Sequence, residues 1–199
     1  MSITNLDNLK SFLNSLGISP KKSLSQNFLI NQNTVDKIID FISPKSWDSI
    51  VEIGPGPGAL TESLCTYEAN LTVIEKDDIF SKELSRFPSV QVLHKDVLDV
   101  SFSSLVADGS SSCMVGNLPY HITNPILEKF LLEASSFSRG VFMVQDEVAK
   151  RICAKPGSKD YGSVSVFISY FSSPSYAFKV EKNVFFPEPK VSSAIIVLE

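Results

Sequence analysis

The segment CMVGNLPYHI, residues 113 to 122, places a carboxamide and an aromatic ring directly after a short apolar run. The apolar run is typical of a buried strand, and Pro119 must end it because proline cannot donate to the sheet ladder. Asn117 and Tyr120 are therefore expected at the carboxyl end of a strand, which is where α/β sheets bind their ligands. A plain Asn-Pro turn is the alternative interpretation of the same residues.

These residue types suit the methylation of an exocyclic amine on a base. Such an amine is a weak nucleophile, because its lone pair is delocalised into the ring. The side-chain oxygen of Asn117 and a backbone carbonyl at Leu118 or Pro119 can each accept one amine hydrogen, which directs the lone pair at a methyl donor. Tyr120 offers a flat face for an extruded base, with stacking of about 1–3 kcal/mol. The segment therefore predicts methyl transfer without a general base.

Three other predicted strands end in residues that suit an adenosine ligand. The glycines of GPGPG, residues 54–58, let the backbone approach a ligand closely. Glu75 follows Gly54 by 21 residues, the interval at which an acid meets ribose hydroxyls in nucleotide-binding folds. Asp96 can accept from an adenine amine. Since the glycines lack the GxGxxG spacing of a pyrophosphate site, the predicted cofactor is S-adenosylmethionine rather than a nicotinamide dinucleotide.

Strands and helices alternate along the chain, a pattern that predicts an α/β fold with a parallel sheet. The strand from about 47 to 54 comes first, and SYAFKVE and SSAIIVLE are predicted as two closing strands. TNLDNLKSFLNSLG is predicted as an amphipathic helix that stops at Gly17. KKSLSQNFLINQ is interpreted as an ordered loop, and SVSVFISYF is ambiguous between a buried helix and a strand.

Composition indicates one ordinary globular domain of 199 residues, 43% hydrophobic and 20% charged. No apolar run reaches the roughly 18 residues of a membrane helix, so we expect no membrane span. Three scattered cysteines indicate reduced thiols in the cytoplasm, and two histidines without ligand spacing predict no metal. The net charge of -4 argues weakly against a nucleic-acid partner. However, residues 150–190 carry seven basic and three acidic side chains, which keeps a polyanionic partner open.

The chain resembles the bacterial small-subunit ribosomal RNA adenine N6,N6-dimethyltransferases, relatives of the erythromycin-resistance methylases. The resemblance covers the chain from about residue 9 and is carried by SQNFL, EIGPGPGALT, NLPYHIT, VQDEVAKRI, KPGSKDYG and FFPEPKVSSA. It implies a Rossmann-like seven-stranded S-adenosylmethionine-dependent methyltransferase fold, in which SVSVFISYF is a helix. It also implies a substrate of two adjacent adenosines, in a hairpin loop near the 3′ end of small-subunit ribosomal RNA within a 30S-type particle.

The resemblance assigns functional residues by motif position. The implied catalytic residues are Asn117, Leu118, Pro119, Tyr120 and Phe185, with Phe185 facing Tyr120 across the target adenine. The implied cofactor site is lined by Asn27, Leu29, Gly54, Gly56, Glu75, Asp96, Val97 and Asn117.

We further expect one structural unit made of two parts. Residues 1–46 would form N-terminal helices and a cofactor-covering loop, and residues 47–199 would form the methyltransferase domain. The family's small helical C-terminal domain is expected to be absent after Glu199, which would weaken RNA binding. The enzyme is expected to be a cytoplasmic monomer with a role in small-subunit maturation.

Three other classes of protein fit parts of the sequence. A nicotinamide dehydrogenase would need a pyrophosphate loop and an acid or base beside the hydride, and neither is found. A non-catalytic RNA-binding or assembly factor is harder to exclude, because the implied family also takes part in ribosome maturation. A methyltransferase acting on DNA adenine or protein glutamine would carry a second proline where this chain has Leu118.

Overall fold

The computed structural model describes residues 2–199, which form two sheets and seven α-helices. The strands are β1 (Phe28–Leu29), β2 (Ser49–Ile53), β3 (Asn70–Glu75), β4 (Val90–His94), β5 (Ser112–Asn117), β6 (Arg139–Gln145), β7 (Pro174–Val180), β8 (Phe185–Phe186) and β9 (Ser193–Leu198). The helices are α1 (Leu6–Ser15), α2 (Gln32–Ile42), α3 (Ala59–Leu64), α4 (Asp78–Glu83), α5 (Thr123–Leu132), α6 (Asp146–Ile152) and α7 (Ser163–Phe171).

The large sheet has seven strands in the order β4-β3-β2-β5-β6-β9-β7. The pairings from β4 through β6 are parallel, whereas β9 runs antiparallel to both β6 and β7. This order confirms the predicted α/β fold, and the helical α7 resolves the ambiguous segment as the resemblance implied. Strand order reverses between β2 and β5, so their carboxyl ends form the crevice in which such sheets bind ligands.

The two faces of the sheet are buried against separate layers of helices. Every residue of β2 is buried, as expected of a parallel strand covered on both sides. Ile50 of β2 belongs to the core that includes Ile38 of α2, whereas Val51 belongs to the core that includes Ile126 of α5. This burial makes the sheet a rigid base for the loops that follow its strands.

The N-terminal region contains the first helix as predicted, and one correction applies to the segment that follows it. Helix α1 buries Leu9 and Leu13, and Gly17 after it adopts a left-handed φ of 64°. The segment interpreted as a loop contains β1, which pairs antiparallel with β8 and aligns Leu29 with Phe185. The interpretation missed this strand because two residues are too few for any hydrophobic period to appear.

Three structural features bear on membranes, metals and partners. Within residues 2–199, no helix is long and apolar enough to cross a membrane. Over the same residues, no group of three or more His, Cys, Asp or Glu side chains is arranged to hold a metal ion. Several lysines of the basic C-terminal region are paired with acids, since Lys150 binds Asp146 at 2.7 Å and Lys179 binds Glu181 at 2.7 Å. Their positive charge is therefore partly neutralised within the fold.

Candidate active site

A cavity of about 220 Å³ lies at the carboxyl ends of the parallel strands. Its walls are the loops that follow β2, β3, β4 and β5, together with residues 23–29 of the N-terminal region. All residues predicted to bind the cofactor line it, namely Asn27, Leu29, Gly54, Gly56, Glu75, Asp96, Val97 and Asn117. Leu118, Pro119 and Tyr120 line it too, so the four predicted strand ends meet at one site.

The glycine loop after β2 has a backbone that only glycine adopts easily. Gly54 and Gly56 have φ values of 63° and 54°, in the left-handed region. A Cβ at Gly56 would lie 3.2 Å from the ring of Phe28, which covers the loop from the N-terminal side. Glycine at position 56 is therefore favoured both by the turn and by the closeness of Phe28.

Glu75, at the end of β3, joins two loops of the cavity wall. Its Oε2 accepts from the backbone N–H of Gly56 at 2.9 Å, and its Oε1 accepts from the backbone N–H of Asp77 at 2.8 Å. Burial raises the pKa of Glu75 above its ordinary value, although these N–H donors oppose the shift. Each oxygen keeps a second lone pair, so the carboxylate can still accept from two hydroxyls of a ligand.

Both carboxylate oxygens of Asp96, which follows β4, have hydrogen-bond partners. Its Oδ1 accepts from the Leu98 N–H at 3.0 Å, and its Oδ2 lies 2.6 Å from Nζ of Lys76. The hydrogen bond from Lys76 is the largest cause that holds the pKa of Asp96 below its ordinary value. The carboxylate is thus ionised at neutral pH and can accept from an adenine amine with its remaining lone pairs.

Glu52 also lines the cavity, although the sequence analysis assigned it no role. Its side chain is 2% exposed and accepts from Oγ of Thr61 at 2.7 Å. Burial raises the pKa of Glu52 to about 8, against the effect of Thr61 and with a smaller contribution from Glu75. The sequence feature that could have marked it is a carboxylate inside the otherwise apolar strand SIVEI.

The carboxamide of Asn117 has a defined orientation. Its Nδ2 donates to the backbone carbonyl of Asn27 at 3.1 Å, and only the amide nitrogen can make that bond. Oδ1 therefore remains as an acceptor. Among the described residues no donor engages the Leu118 carbonyl, whereas the Pro119 carbonyl accepts from Ile122 N–H at 3.1 Å and Oγ of Thr123 at 3.2 Å. The geometry thus favours Leu118 over Pro119 as the second acceptor.

The two predicted aromatic residues lie in different environments. Tyr120 is half-buried at the cavity, and its hydroxyl lies 2.7 Å from Oγ of the buried Ser193 at the start of β9. Phe185 does not line the cavity: it is 3% exposed and packs in the core near its strand partner Leu29. That Phe185 faces Tyr120 across a target adenine stays a prediction.

The chemistry of the cavity fits S-adenosylmethionine. Glu75 and Asp96 give it an acidic lining, which suits a cofactor with a positively charged sulfur and an ammonium group. The carboxylate acceptors also suit ribose hydroxyls and an adenine amine.

Comparison with known proteins gives consistent results. The family model described as ribosomal RNA adenine dimethylase matches residues 17–199. Ribosomal RNA small subunit methyltransferase A of Protochlamydia amoebophila is 44% identical over 207 residues, which cover 100% of this chain and 73% of that protein. The protein of the same name from Chlamydia trachomatis serovar D is 45% identical over 98% of this chain and 72% of its own length.

Solved structures agree in fold. A dimethyladenosine transferase from Plasmodium falciparum matches with a TM-score of 0.76 and 28% identity, over 86% of this chain and 62% of the other. The 23S rRNA methyltransferase ErmE matches with a TM-score of 0.74 and 27% identity, over 87% of this chain and 69% of the other.

Proposed function

The chain belongs to the ribosomal RNA adenine dimethylase family, and from this premise we propose how its cavity performs the reaction. It is an S-adenosylmethionine-dependent methyltransferase that dimethylates adenine in small-subunit ribosomal RNA, as the resemblance implied. The proposed targets are two adjacent adenosines in a hairpin loop near the 3′ end of that RNA. The proposed context is maturation of the small subunit.

The cofactor site is proposed to follow the strand ends. S-adenosylmethionine supplies a methyl group bonded to a cationic sulfur. Glu75 accepts from the ribose hydroxyls with the lone pairs that its two backbone donors leave free. Asp96 accepts from the adenine amine, and the glycine loop lets the backbone of Gly54 and Gly56 lie against the ligand.

The target amine is proposed to be held by two oxygens. Oδ1 of Asn117 and the carbonyl oxygen of Leu118 each accept one amine hydrogen, which draws the nitrogen toward tetrahedral geometry and frees its lone pair. Tyr120 stacks on the base, with its ring held by the hydroxyl bond to Ser193. The methylated amine is positively charged and loses a proton to solvent, so no side chain must act as a base beforehand. Catalysis is alignment and hydrogen bonding in the transition state.

The observation that carries this proposal is the anchored carboxamide of Asn117 beside the free Leu118 carbonyl. Asn117→Ala should leave the fold intact and reduce kcat by at least ~100-fold, because one preorganised acceptor is lost from the transition state. Asn124→Ala is the matched control, since Asn124 is an exposed asparagine on α5. Unchanged turnover in Asn117→Ala would contradict the mechanism.

The remaining proposals concern organisation and location. Residues 1–46 are proposed to be the covering part of one structural unit with residues 47–199, supported by the bond between Asn27 and Asn117. A monomer is proposed because one chain supplies every wall of the cavity described above. The proposed compartment is the cytoplasm, where small ribosomal subunits mature.

A further inference from the structure

Residues 21–29 form a strap across one side of the cavity. Residues 23–29 line it, and the distal end of the strap is fixed as strand β1 against β8. Phe28 packs edge-on against Phe80 of α4, with ring centroids 5.3 Å apart. The strap therefore bridges β8 and the start of α4.

The proximal end of the strap is fixed by Asp77, which precedes α4 and is 3% exposed. Its Oδ1 accepts from the backbone N–H of Ile79 at 2.9 Å and of Phe80 at 3.3 Å, which caps α4. Its Oδ2 accepts from Nζ of Lys21 at 2.7 Å and from Nε2 of Gln26 at 3.3 Å. Oδ1 of Asp77 thus binds the helix, and Oδ2 binds the strap.

Gln26 connects Asp77 with the first residue of the strap. Its Oε1 accepts from the backbone N–H of Lys21 at 2.8 Å, while its Nε2 reaches Asp77. The next residue is Asn27, whose side chain donates to the Ser25 carbonyl at 3.1 Å and whose own carbonyl accepts from Asn117. Asp77 is therefore connected to the carboxamide of Asn117 by its hydrogen bond to Gln26, the peptide bond from Gln26 to Asn27, and the hydrogen bond at the Asn27 carbonyl.

Asp77 has no place in the proposed mechanism, yet it is a buried charge. Burial alone would raise its pKa, but the hydrogen bonds from Lys21 and from the α4 backbone outweigh burial and hold the pKa of Asp77 below its ordinary value. The carboxylate is therefore ionised at neutral pH. A buried charge without hydrogen-bond partners is strongly destabilising, so Lys21 and Gln26 of the strap stabilise the carboxylate and the carboxylate holds the strap.

We propose that Asp77 is a positioning residue for methyl transfer: through Lys21 and Gln26 it fastens the strap so that the Asn27 carbonyl holds the Asn117 carboxamide with Oδ1 toward the target amine. The inference rests on the proposed role of Asn117. The fastening itself can be measured without catalysis.

Two variants separate the strap from the helix cap. Asp77→Asn keeps an oxygen that caps α4 and keeps the backbone N–H that donates to Glu75, but it turns a donor toward Lys21 and Gln26. Lys21→Gln removes the same ion pair from the strap side. Lys21→Arg should keep the ion pair with Asp77. Lys22→Gln is the matched control, because among the described residues Lys22 forms no ion pair.

The first measurement is amide hydrogen exchange of residues 21–29 in the full chain. Asp77→Asn and Lys21→Gln should speed exchange about tenfold there, the loss expected for one charge-assisted hydrogen bond, while Lys22→Gln and Lys21→Arg should match wild type. Unchanged exchange in both variants would mean that Asp77 does not fasten the strap. This result is independent of whether Asn117 is catalytic.

The second measurement is turnover on 30S particles. Asp77→Asn should lower kcat about tenfold, and Lys21→Arg should retain normal kcat. In an Asn117→Ala background, Asp77→Asn should have no further effect on kcat, because the group that it positions is gone. A full tenfold effect in that background would overturn the proposal, since Asp77 would then act through another group. Normal turnover of Asn117→Ala alone would instead refute the proposed function and leave the exchange result standing.

Discussion

Glu75→Gln should both loosen the apo protein and weaken cofactor binding. The sequence predicts Glu75 only as a ribose ligand, but in the structure it also accepts from Gly56 and Asp77, two buried backbone donors in separate loops. Glutamine has one oxygen, so its NH₂ group must face one of these N–H donors. The variant leaves that N–H without an acceptor.

The size of the effect follows from that one lost bond. A buried backbone N–H without an acceptor costs about 1–3 kcal/mol, and removal of a poorly solvated charge offsets part of this. With a urea m-value of about 2 kcal/mol/M, we expect the unfolding midpoint to fall by at most roughly 0.5–1.5 M. Loss of ribose acceptors should weaken cofactor binding by about 1–3 kcal/mol, which is roughly five- to 150-fold in Kd.

Urea unfolding without cofactor and calorimetric titration with S-adenosylmethionine measure the two effects separately. Glu68→Gln is the control, because Glu68 is an exposed glutamate just before the same strand. If Glu75→Gln unfolds at the same urea concentration as Glu68→Gln, the carboxylate does not join the two loops. If its Kd is also unchanged, the ribose binds elsewhere.

Three further variants test other parts of the site. Because the folded pKa of Glu52 is about 8 against an ordinary 4.5, its contribution to stability is complete below pH 4.5 and is lost as the pH rises to 8. The free energy of unfolding of wild type should therefore fall by up to about 1.4 kcal/mol per pH unit across that window, relative to that of Glu52→Gln. If urea unfolding shows the same pH dependence for both proteins, the raised pKa of Glu52 is contradicted. Ser193→Ala should remove the partner of the Tyr120 hydroxyl and raise KM for 30S particles severalfold with the cofactor Kd unchanged; an unchanged KM would mean that the hydroxyl bond does not orient the ring. Gly56→Ala should weaken cofactor binding at least tenfold, because its Cβ would meet the Phe28 ring at 3.2 Å on a left-handed backbone, and normal calorimetric affinity would show that the loop adapts.

The strand ends could be predicted because local patterns determine them. Each short apolar run marks a strand, and parallel strands bring their carboxyl ends to one edge in any strand order. Glu75, Asp96 and Asn117 could therefore be assigned to one site before their neighbours were known. The adjacency of β2 and β5 could not be derived in the same way, since it depends on how the whole chain packs.

Contacts between segments that are distant in the sequence could not be predicted from local patterns. The pairing of β1 with β8 joins two-residue strands that are far apart in the chain, and it carries Phe185 into the core instead of the cavity wall. The choice between the Leu118 and Pro119 carbonyls depends on the turn that follows, in which Pro119 accepts from Ile122. Asp77 is one of several acids after β3 in the sequence, and its burial and its contacts with Lys21 and Gln26 distinguish it in the structure.

Methyl transfer to adenine is the claim that the whole account depends on. The most direct test uses wild-type protein, S-adenosylmethionine labelled in its methyl group, and 30S particles that lack the modification, followed by nucleoside analysis of the RNA. We predict label in N6,N6-dimethyladenosine, located at two adjacent adenosines near the 3′ end of the small-subunit RNA. Label in a different nucleoside or in protein, or no label at all, would contradict the account.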